Sequence, residues 1–335
     1  MMKPDLRDQI QTALADRYAL DRDLGRGGMA SVVLARDLQN DRLVALKVLH
    51  PELAPTVGGD RFKREIRVAA KLQHPNILSV LDSGETPGGQ LWFTMPYVEG
   101  ENVYERLQRE HQFTPAEALR ITLSAASALA YAHKQGVVHR DIKPDNILLS
   151  GDQVLVADFG VARAVSEVAE KLTATGMIVG TPTYMSPEQA SGDKAIDGRT
   201  DIFALACVLY EMLAGEPPFK GPNPQATLMR RFMGPPRPLR PMVQIPEHME
   251  TAIVRALAKD PGERFATADE FAGALAGRVI APQKPAEAAG GAAPAASGAA
   301  GGPAKKGCAG VVILGAGLTG VAVRLAIEVL RSLSG

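Results

Sequence analysis

The first quarter of the chain alternates short apolar runs with turn-forming residues. Runs rich in β-branched side chains cover 18–24, 31–37 and 43–49, and glycines at 25–28 separate the first two. Apolar runs bounded by such turns predict β-strands. At 59–72 the spacing of apolar residues becomes helical. The pattern therefore predicts a small β-rich lobe that includes one helix.

Helical periodicity dominates after Pro96. Together with the strands, it predicts an α+β fold in which an N-lobe at 18–97 precedes a larger α-helical C-lobe at 98–277. Residues 1–17 are interpreted as a leader helix. The helices predicted in the C-lobe cover 115–135, 201–214, 249–259 and 268–276.

The composition changes sharply near residue 280. Ala, Gly or Pro account for 19 of the 25 residues at 282–306. A segment with so few bulky apolar side chains cannot bury enough surface to fold, so 278–306 is predicted to be a disordered linker.

The last segment, 307–335, contains sixteen successive uncharged residues at 308–323. Extended to 327 as a helix, this stretch reaches about 30 Å, the thickness of a hydrocarbon core. We therefore expect a single-pass helix in the cell membrane, and Lys305 and Lys306 before it favour a cytoplasmic location for the preceding domain. The alternative is a helix that docks on a soluble partner, which would make the protein cytoplasmic. A dinucleotide-binding unit is disfavoured because no second strand follows.

Charge adds one exclusion. The chain carries 37 Lys and Arg against 37 Asp and Glu. Proteins that bind nucleic acids usually present a strongly basic face or stripe, so no nucleic-acid partner is expected.

Three glycines, Gly25, Gly27 and Gly28, lie between the first two predicted strands. Glycine lets backbone N–H groups approach a phosphate closely because no side chain stands in the way. A plain hairpin turn would explain the same residues, and a dinucleotide site would need a helix next. Since a strand follows, the pattern favours a loop folded over phosphates.

A lysine and a glutamate fall on apolar faces of neighbouring elements. Lys47 lies in the third predicted strand, and Glu65 shares the stripe formed by Phe62, Ile66 and Ala69. Charges that face a core are costly unless they are paired, so we expect Lys47 to pair with Glu65. The alternative is that Lys47 extends to the surface and Glu65 lies at the edge of the stripe.

The most specific segment is 137–149, where polar and charged residues lie between two apolar runs. Its proline ends any helix, so the polar residues are predicted to form a loop held by buried strands. The run 154–157 then leads into Asp158, and Gly151 supplies the turn of a hairpin. That hairpin would bring Asn146 close to Asp158. Their amide and carboxylate oxygens suit Mg²⁺.

In this order, the motifs resemble those of the bacterial eukaryotic-like (Hanks-type) serine/threonine protein kinases. The resemblance spans 18–277 and rests on the glycine loop, on Lys47, on 137–149, on 158–160 and on the Ser-Pro-Glu sequence that ends at Glu188. It implies the two-lobed protein-kinase fold. It also implies an enzyme that transfers the γ-phosphoryl group of ATP to serine and threonine hydroxyls of proteins.

The resemblance assigns four catalytic residues. Asp141 would orient the substrate hydroxyl and accept its proton, and Lys143 would stabilise the γ-phosphoryl group. Lys47 would contact the α- and β-phosphates and be held by Glu65. His139, beside the catalytic aspartate, is expected to pack under the loop rather than to act as a base.

The expected cofactors are ATP and Mg²⁺, with Mn²⁺ as a substitute. Asn146 and Asp158 would hold the metal ions. Ala30 stands where the family pattern has its third glycine, a small residue that spares the loop. The residues implied to bind the nucleotide are Gly25, Arg26, Gly27, Gly28, Val32, Ala45, Lys47, Met95 and Val98.

The resemblance also implies regulation and partners. Thr173 and Thr175 are expected to be autophosphorylated, and Arg140 would bind a phosphate on this segment. The expected partners are protein substrates with serine or threonine acceptors, a second copy in a homodimer, and the membrane through the C-terminal helix. A scaffolding pseudokinase and a small-molecule kinase are the alternatives. The complete set of catalytic residues disfavours the first, and the Pro187-Glu188 ending of the segment disfavours the second.

Overall fold

A computed structural model describes residues 2, 4–51, 58–160 and 182–278. The chain divides into one unit at Met1–Pro282 and another at Gln283–Gly335, and every described residue belongs to the first. Residues 279–335, with nearly all of the predicted linker and the predicted membrane helix, lie outside the described residues. Within the described ranges, no helix combines the length and the apolar character that a membrane crossing requires.

Five antiparallel strands form the sheet of the N-lobe, and the three strands predicted first are confirmed. The sheet order is β1-β2-β3-β5-β4, and β3 at its centre pairs along its length with β2 and along Val44–Val48 with β5. The strands are β1 Tyr18–Arg26, β2 Ala30–Asp37, β3 Arg42–Leu49, β4 Asp82–Glu85 and β5 Leu91–Pro96.

Two helices cover opposite faces of this sheet. Strand side chains alternate between faces, so Ala45 and Leu49 of β3 meet the helix α2, whereas Val44 and Leu46 meet the helix α1. The predicted stripe Phe62, Ile66 and Ala69 is the buried face of α2. The two helices are α1 Pro4–Leu14 and α2 Gly59–Ala69.

Helix α1 is a tightly packed part of the N-lobe. Leu6, Ile10 and Leu14 follow one another at intervals of four residues, and together with Met2 they pack against the cluster that includes Trp92. A helix places residues four apart on one face, so α1 is amphipathic in the usual sense. The helix lies within the predicted leader 1–17.

The C-lobe is built around α6, which is buried almost along its whole length. The four helices predicted there are confirmed, with ends shifted by up to three residues. The helices Val103–Glu110, Pro187–Ala190 and Pro224–Met233, which the periodicity did not predict, complete the described part of the lobe. The described C-lobe helices are α3 Val103–Glu110, α4 Pro115–Lys134, α5 Pro187–Ala190, α6 Arg199–Ala214, α7 Pro224–Met233, α8 Glu247–Ala256 and α9 Ala268–Leu275.

A three-stranded sheet lies where the two lobes meet. It consists of β6 Glu101–Asn102, β7 Ile147–Ser150 and β8 Gln153–Val156. Strands β7 and β8 form the predicted hairpin, with Gly151 in the left-handed region at φ 54°. The fold is thus the expected arrangement of a β-rich N-lobe and a helical C-lobe.

Candidate active site

The glycine loop connects β1 to β2 at the exposed end of the N-lobe sheet. Gly27 N–H donates to Ala30 O at 2.9 Å, which closes the turn. A Cβ atom added at Gly25 or Gly28 would meet no atom within 4 Å. Packing among the described residues therefore does not demand glycine at these positions, and the space beside the backbone is available to a ligand.

An apolar wall lies next to the loop. Ala45 of β3 and Met95 of β5 are directly opposed in the sheet, and both are buried. Val32 and Val98 pack against the same cluster. Leu155 also belongs to it, so the wall receives side chains from both lobes. Val32, Ala45, Met95 and Val98 are among the residues that the resemblance implies bind the nucleotide, whereas Leu155 was not predicted.

Lys47 reaches toward the C-lobe from the middle of β3. Its Nζ donates to Asp158 Oδ2 and forms an ion pair with that carboxylate. The expected pair between Lys47 and Glu65 is not among the ion pairs between described residues, so this expectation is corrected. The physical reason is that the side chains of Lys47 and Asp158, which are 18% and 13% exposed, meet in the cleft and compensate each other's charge.

The loop that carries Asp141 is held from below by one buried carboxylate. Asp201, at the start of α6, accepts hydrogen bonds from the backbone N–H groups of His139 at 2.8 Å and Arg140 at 2.7 Å. His133 Nε2 lies 2.8 Å from the same carboxylate. These bonds fix Arg140 at φ 69°, a conformation that a non-glycine residue rarely adopts.

His139 is part of this support. Its side chain is completely buried, its Nε2 lies 2.7 Å from Ala157 O, and its ring meets Phe159 edge-on at 4.7 Å between centroids. Its Nδ1 accepts the N–H of Asp141 at 3.2 Å. The structure thus confirms that His139 packs under the loop, where its ring hydrogen-bonds to the backbone.

Asp141 is the exposed member of a polar cluster. Its side chain is 43% exposed, and Lys143 Nζ donates to its Oδ2 at 2.7 Å. Asn146 Nδ2 donates to Asp141 O at 2.8 Å and lies 3.4 Å from Asp141 Oδ2. An exposed carboxylate held between a cation and an amide is oriented and yet accessible.

Asn146 and Asp158 are brought together as the hairpin predicted. The N–H of Ala157, the residue before Asp158, donates to Asn146 O at 2.9 Å. Asp158 Oδ1 is buried and has no hydrogen-bond partner among the described residues. A buried carboxylate oxygen without a donor is costly, and a cation would satisfy it.

The charges of the cleft shift two pKa values. Burial by itself would raise the pKa of Asp158, but the positive charge and the hydrogen bond of Lys47 outweigh it and hold that pKa below its ordinary range. Burial would lower the pKa of Lys143, and the charge and hydrogen bond of Asp141 reverse the effect and raise it. Both groups are therefore ionised at neutral pH.

No group of three or more His, Cys, Asp or Glu within the described ranges could hold a metal ion. A site with the two oxygen donors of Asn146 and Asp158 suits Mg²⁺, which commonly binds one or two carboxylates together with water and substrate phosphates. The residues present therefore fit a metal–nucleotide complex better than a dedicated protein cage.

Below the cleft, Glu188 and Arg264 form a buried ion pair. Two bonds of 2.7 Å join the guanidinium to the carboxylate, and both side chains are buried. Gln189 Nε2 in turn donates to Arg140 O at 2.8 Å, which connects α5 to the loop of Asp141. The predicted phosphorylation sites, Thr173 and Thr175, lie outside the described residues.

Sequence reasoning missed two contacts near Glu188. Arg231 of α7 donates to backbone carbonyls of the 182–185 turn, and Tyr184 O–H donates to Glu211 at 2.6 Å. No apolar periodicity signals a buried arginine. The sequence offers no positive signal for it, because the methionines of α7 lie on the exposed face of the helix and not on the face that turns inward.

Three comparisons relate the chain to known proteins. The family model described as protein kinase domain matches residues 18–273. The serine/threonine-protein kinase PknB of Mycobacterium tuberculosis is 42% identical over 264 residues, which cover 77% of this chain and 42% of that protein. The serine/threonine-protein kinase pkn3 of Myxococcus xanthus is 38% identical over 282 residues, which cover 81% of this chain and 51% of that protein.

A solved structure shows the same fold. The kinase domain of Mycobacterium tuberculosis PknI superposes with a TM-score of 0.62 at 34% sequence identity, covering 78% of this chain and 96% of that one. The chain spans about half the length, or less, of the curated relatives it matches.

Proposed function

Because the chain belongs to the protein kinase family, among the bacterial Hanks-type serine/threonine protein kinases, we propose that it transfers the γ-phosphoryl group of ATP to serine and threonine hydroxyls of proteins. The observation that carries the proposal is the arrangement of Asp141, Lys143, Asn146, Asp158 and Lys47 around one cleft. Phosphoryl transfer depends on positioning and charge stabilisation more than on covalent chemistry, and these groups supply both.

Asp141 would receive the acceptor hydroxyl. Its carboxylate is accessible and oriented by Lys143 and Asn146, so it can accept a hydrogen bond from a serine or threonine side chain and then its proton. Lys143 is positively charged beside the same oxygen and would stabilise the charge of the transferred group.

Magnesium bound with ATP would neutralise phosphate charge and orient the β- and γ-phosphates. Asp158 supports this assignment through its partnerless Oδ1, and Asn146 through an amide whose nitrogen is already engaged by Asp141 O. Lys47, which lies against Asp158, would bind phosphate oxygens from the N-lobe side. Mn²⁺ has similar ligand preferences and could replace Mg²⁺.

The nucleotide-binding surface is proposed on the same basis. The apolar wall of Val32, Ala45, Met95 and Val98 suits a planar base, since both lobes contribute apolar side chains to it. The loop at Gly25, Arg26, Gly27 and Gly28 would cover the phosphates with its backbone N–H groups.

Autophosphorylation at Thr173 and Thr175 and attachment to a membrane are further parts of the proposal. Both involve segments outside the described residues and rest on the sequence: the threonines on the family resemblance, and the anchor on the uncharged stretch 308–323. The domain limits 1–17, 18–277, 278–306 and 307–335 are proposed on the same grounds. Protein substrates and homodimers are the partners proposed.

The test is incubation of the purified chain with ATP and Mg²⁺, followed by mass spectrometry of the peptides that contain Thr173 and Thr175. We expect phosphate on wild-type protein and none on the Asp141→Asn variant, because an amide cannot accept the hydroxyl proton. Binding of ATP without phosphate transfer in the wild type would contradict the proposal and favour a scaffold.

A further inference from the structure

Helix α7, which lies next to the turn that ends the segment after Asp158, buries polar residues and exposes methionines. The residues of α7 that are buried are Thr227 and Arg231, one turn apart, whereas Met229 and Met233 are 59% and 81% exposed. An ordinary surface helix turns its apolar residues inward. Leu228 and Phe232 are only partly buried, so the residues that α7 buries most fully are the polar Thr227 and Arg231.

Thr227 fixes the beginning of α7. Its Oγ1 accepts the N–H of Gly221 at 3.0 Å and donates to Asn223 O at 3.1 Å. Asn223 caps the helix by accepting the N–H of Ala226 at 2.8 Å. The helix is thus anchored at its start, independently of Arg231.

Arg231 extends from the anchored helix to the turn 182–185. Its Nη2 donates to Pro182 O at 2.6 Å and lies 3.5 Å from Thr183 O, and its Nη1 donates to Met185 O. The side chain is only 2% exposed, and no carboxylate in the described part of the chain forms an ion pair with it. The planar fork of a guanidinium can hold several carbonyls at once, which the ammonium of lysine cannot.

Burying Arg231 at this position costs free energy, which its hydrogen bonds to the carbonyls must offset. A buried cation without a counter-ion loses its hydration, and burial accordingly lowers the pKa of Arg231. An apolar side chain at this position would pack at no such cost. Arg231 therefore acts on the conformation of the turn, because three of the turn's carbonyl oxygens point toward its guanidinium.

The turn lies between two parts of the proposed active site. The Tyr184 O–H donates a hydrogen bond to Glu211 of α6. Ser186 Oγ is buried against Thr200 Oγ1 and caps α5 by accepting the N–H of Gln189. Gln189 bonds Arg140 O, one residue before Asp141. A displacement of the turn would thus alter the surface on which an acceptor peptide must lie relative to Asp141.

We propose that Arg231 is a positioning residue for the protein substrate, which holds the backbone of 182–185 in the conformation that receives the acceptor peptide. The inference rests on the proposed function, since it concerns the binding of a serine- or threonine-containing peptide beside Asp141. Arg231 does not border the nucleotide-binding wall, so its effect falls on the peptide and not on ATP.

The experiment compares three variants of the full chain. Arg231→Met keeps the aliphatic stem and removes the donors, and Arg231→Lys keeps the charge without the fork. Arg230→Met is the matched control, because it removes a guanidinium from the neighbouring position on α7, where Arg230 donates to the exposed carbonyl of Lys220 and not to the 182–185 turn.

The first measurement is hydrogen exchange of the backbone amides at 182–190, which needs no catalysis. We expect Arg231→Met to increase exchange there by about tenfold or more, Arg231→Lys to increase it less, and Arg230→Met to match the wild type. Wild-type exchange in Arg231→Met would overturn the proposal. Should Arg231→Met fail to melt cooperatively, the comparison of Arg231→Lys with Arg230→Met decides.

The second measurement is steady-state phosphorylation of a synthetic peptide with the sequence of residues 167–179. We expect Arg231→Met to raise the KM for the peptide by about tenfold, with less than a twofold change in the KM for ATP. Equal increases in both values, or an unchanged KM for the peptide, would overturn the positioning role. A wild-type chain that transfers no phosphate would instead refute the proposed function, and the exchange measurement would still test the turn.

Discussion

Glu188 and Arg264 show how single residues hold the C-lobe together. Arg264 donates to both oxygens of Glu188 and also to the carbonyls of Ala258, Lys259 and Arg199, at 2.7 to 3.1 Å. Burial alone would raise the pKa of Glu188, yet the hydrogen bonds and the charge of Arg264 outweigh burial and lower that pKa below its ordinary value of 4.5. The pair therefore couples the stability of the lobe to pH.

We predict that Glu188→Gln lowers the free energy of unfolding by about 3 kcal/mol at pH 7, because it leaves the buried guanidinium of Arg264 without a counter-charge. The native carboxyl has the lower pKa, so the unfolded chain takes up protons first as the pH falls. The stabilisation by Glu188 is complete above a pH of 4.5 and decreases as the pH falls from there through the folded-state pKa.

Urea denaturation of the wild type and Glu188→Gln at pH 7, 5 and 4 measures this difference. We expect the gap between the two proteins to be constant from pH 7 to 5 and smaller at pH 4. Glu110→Gln is the control, since Glu110 forms ion pairs with Arg106 and Arg109 but is itself 37% exposed. A gap that does not change with pH would show that the pair contributes through shape rather than charge.

Residue identity predicted the polar cluster around Asp141, because its members are close together in the chain. Asp141, Lys143 and Asn146 lie within six residues of one another, and a short hairpin brings Asp158 beside them. The partner of Lys47 could not be predicted in the same way. Glu65 and Asp158 are both remote from Lys47 in sequence, and which of them meets its ammonium group depends on how the two lobes pack together.

At the scale of elements, helix α2 and the segment after Asp158 are in direct contact at Gly160. Gly160 has φ 79°, and a Cβ atom added there would lie 3.0 Å from the Ala69 Cβ and 3.2 Å from Glu65 O. Glycine is therefore required both by its backbone conformation and by the close approach of α2.

We predict that Gly160→Ala displaces α2 and decreases both stability and phosphoryl transfer. The left-handed backbone and the crowded contact together should cost about 2 kcal/mol of unfolding free energy. Thermal unfolding and steady-state kinetics with ATP measure the two effects. We expect a lower kcat because β3, which carries Lys47, packs on α2.

Gly151→Ala separates the two causes. Gly151 also has positive φ, at 54°, but an added Cβ would meet nothing within 4 Å. The Gly151→Ala variant should lose stability through its backbone conformation alone and retain the wild-type kcat. Equal loss of kcat in both variants would contradict a specific contact between Gly160 and α2.

Periodicity predicted the strands of the N-lobe and the long helices of the C-lobe, because these elements bury a regular apolar face. It failed at α7, where Thr227 and Arg231 are buried and the methionines are exposed. The orientation of that helix follows from hydrogen bonds to distant carbonyls, which no local pattern records. Helix α3 is short, with Val103 and Leu107 as its buried residues, too few for a clear period.

At the scale of the whole molecule, the core of the described chain extends from Met2 to Leu275. The N-lobe is covered by α1, whose Ile10 is fully buried, and the C-lobe ends with α9, which packs against α4. The first unit, Met1–Pro282, therefore contains a hydrophobic core on each side of the cleft. Such a unit meets the requirements of an independently folding domain.

We predict that a fragment of residues 1–282 folds and phosphorylates protein as the full chain does. All the buried apolar residues described lie within it, and the Ala-, Gly- and Pro-rich sequence that follows offers little apolar surface to bury against it. The midpoint of thermal unfolding should differ from that of the full chain by less than about 2 °C. A fragment without cooperative unfolding would place part of the core beyond residue 282.

The same pair of proteins tests the membrane anchor. In sedimentation with phospholipid vesicles, the full chain should be recovered with the lipid and the fragment in the supernatant, because a helix over 308–327, with Arg324 as its one charged residue, gains free energy from the hydrocarbon core. Resistance of the bound chain to high salt distinguishes insertion from electrostatic attachment through Lys305 and Lys306. Recovery of the full chain in the supernatant would assign 308–327 to a protein partner, since its apolar residues would then need a different surface.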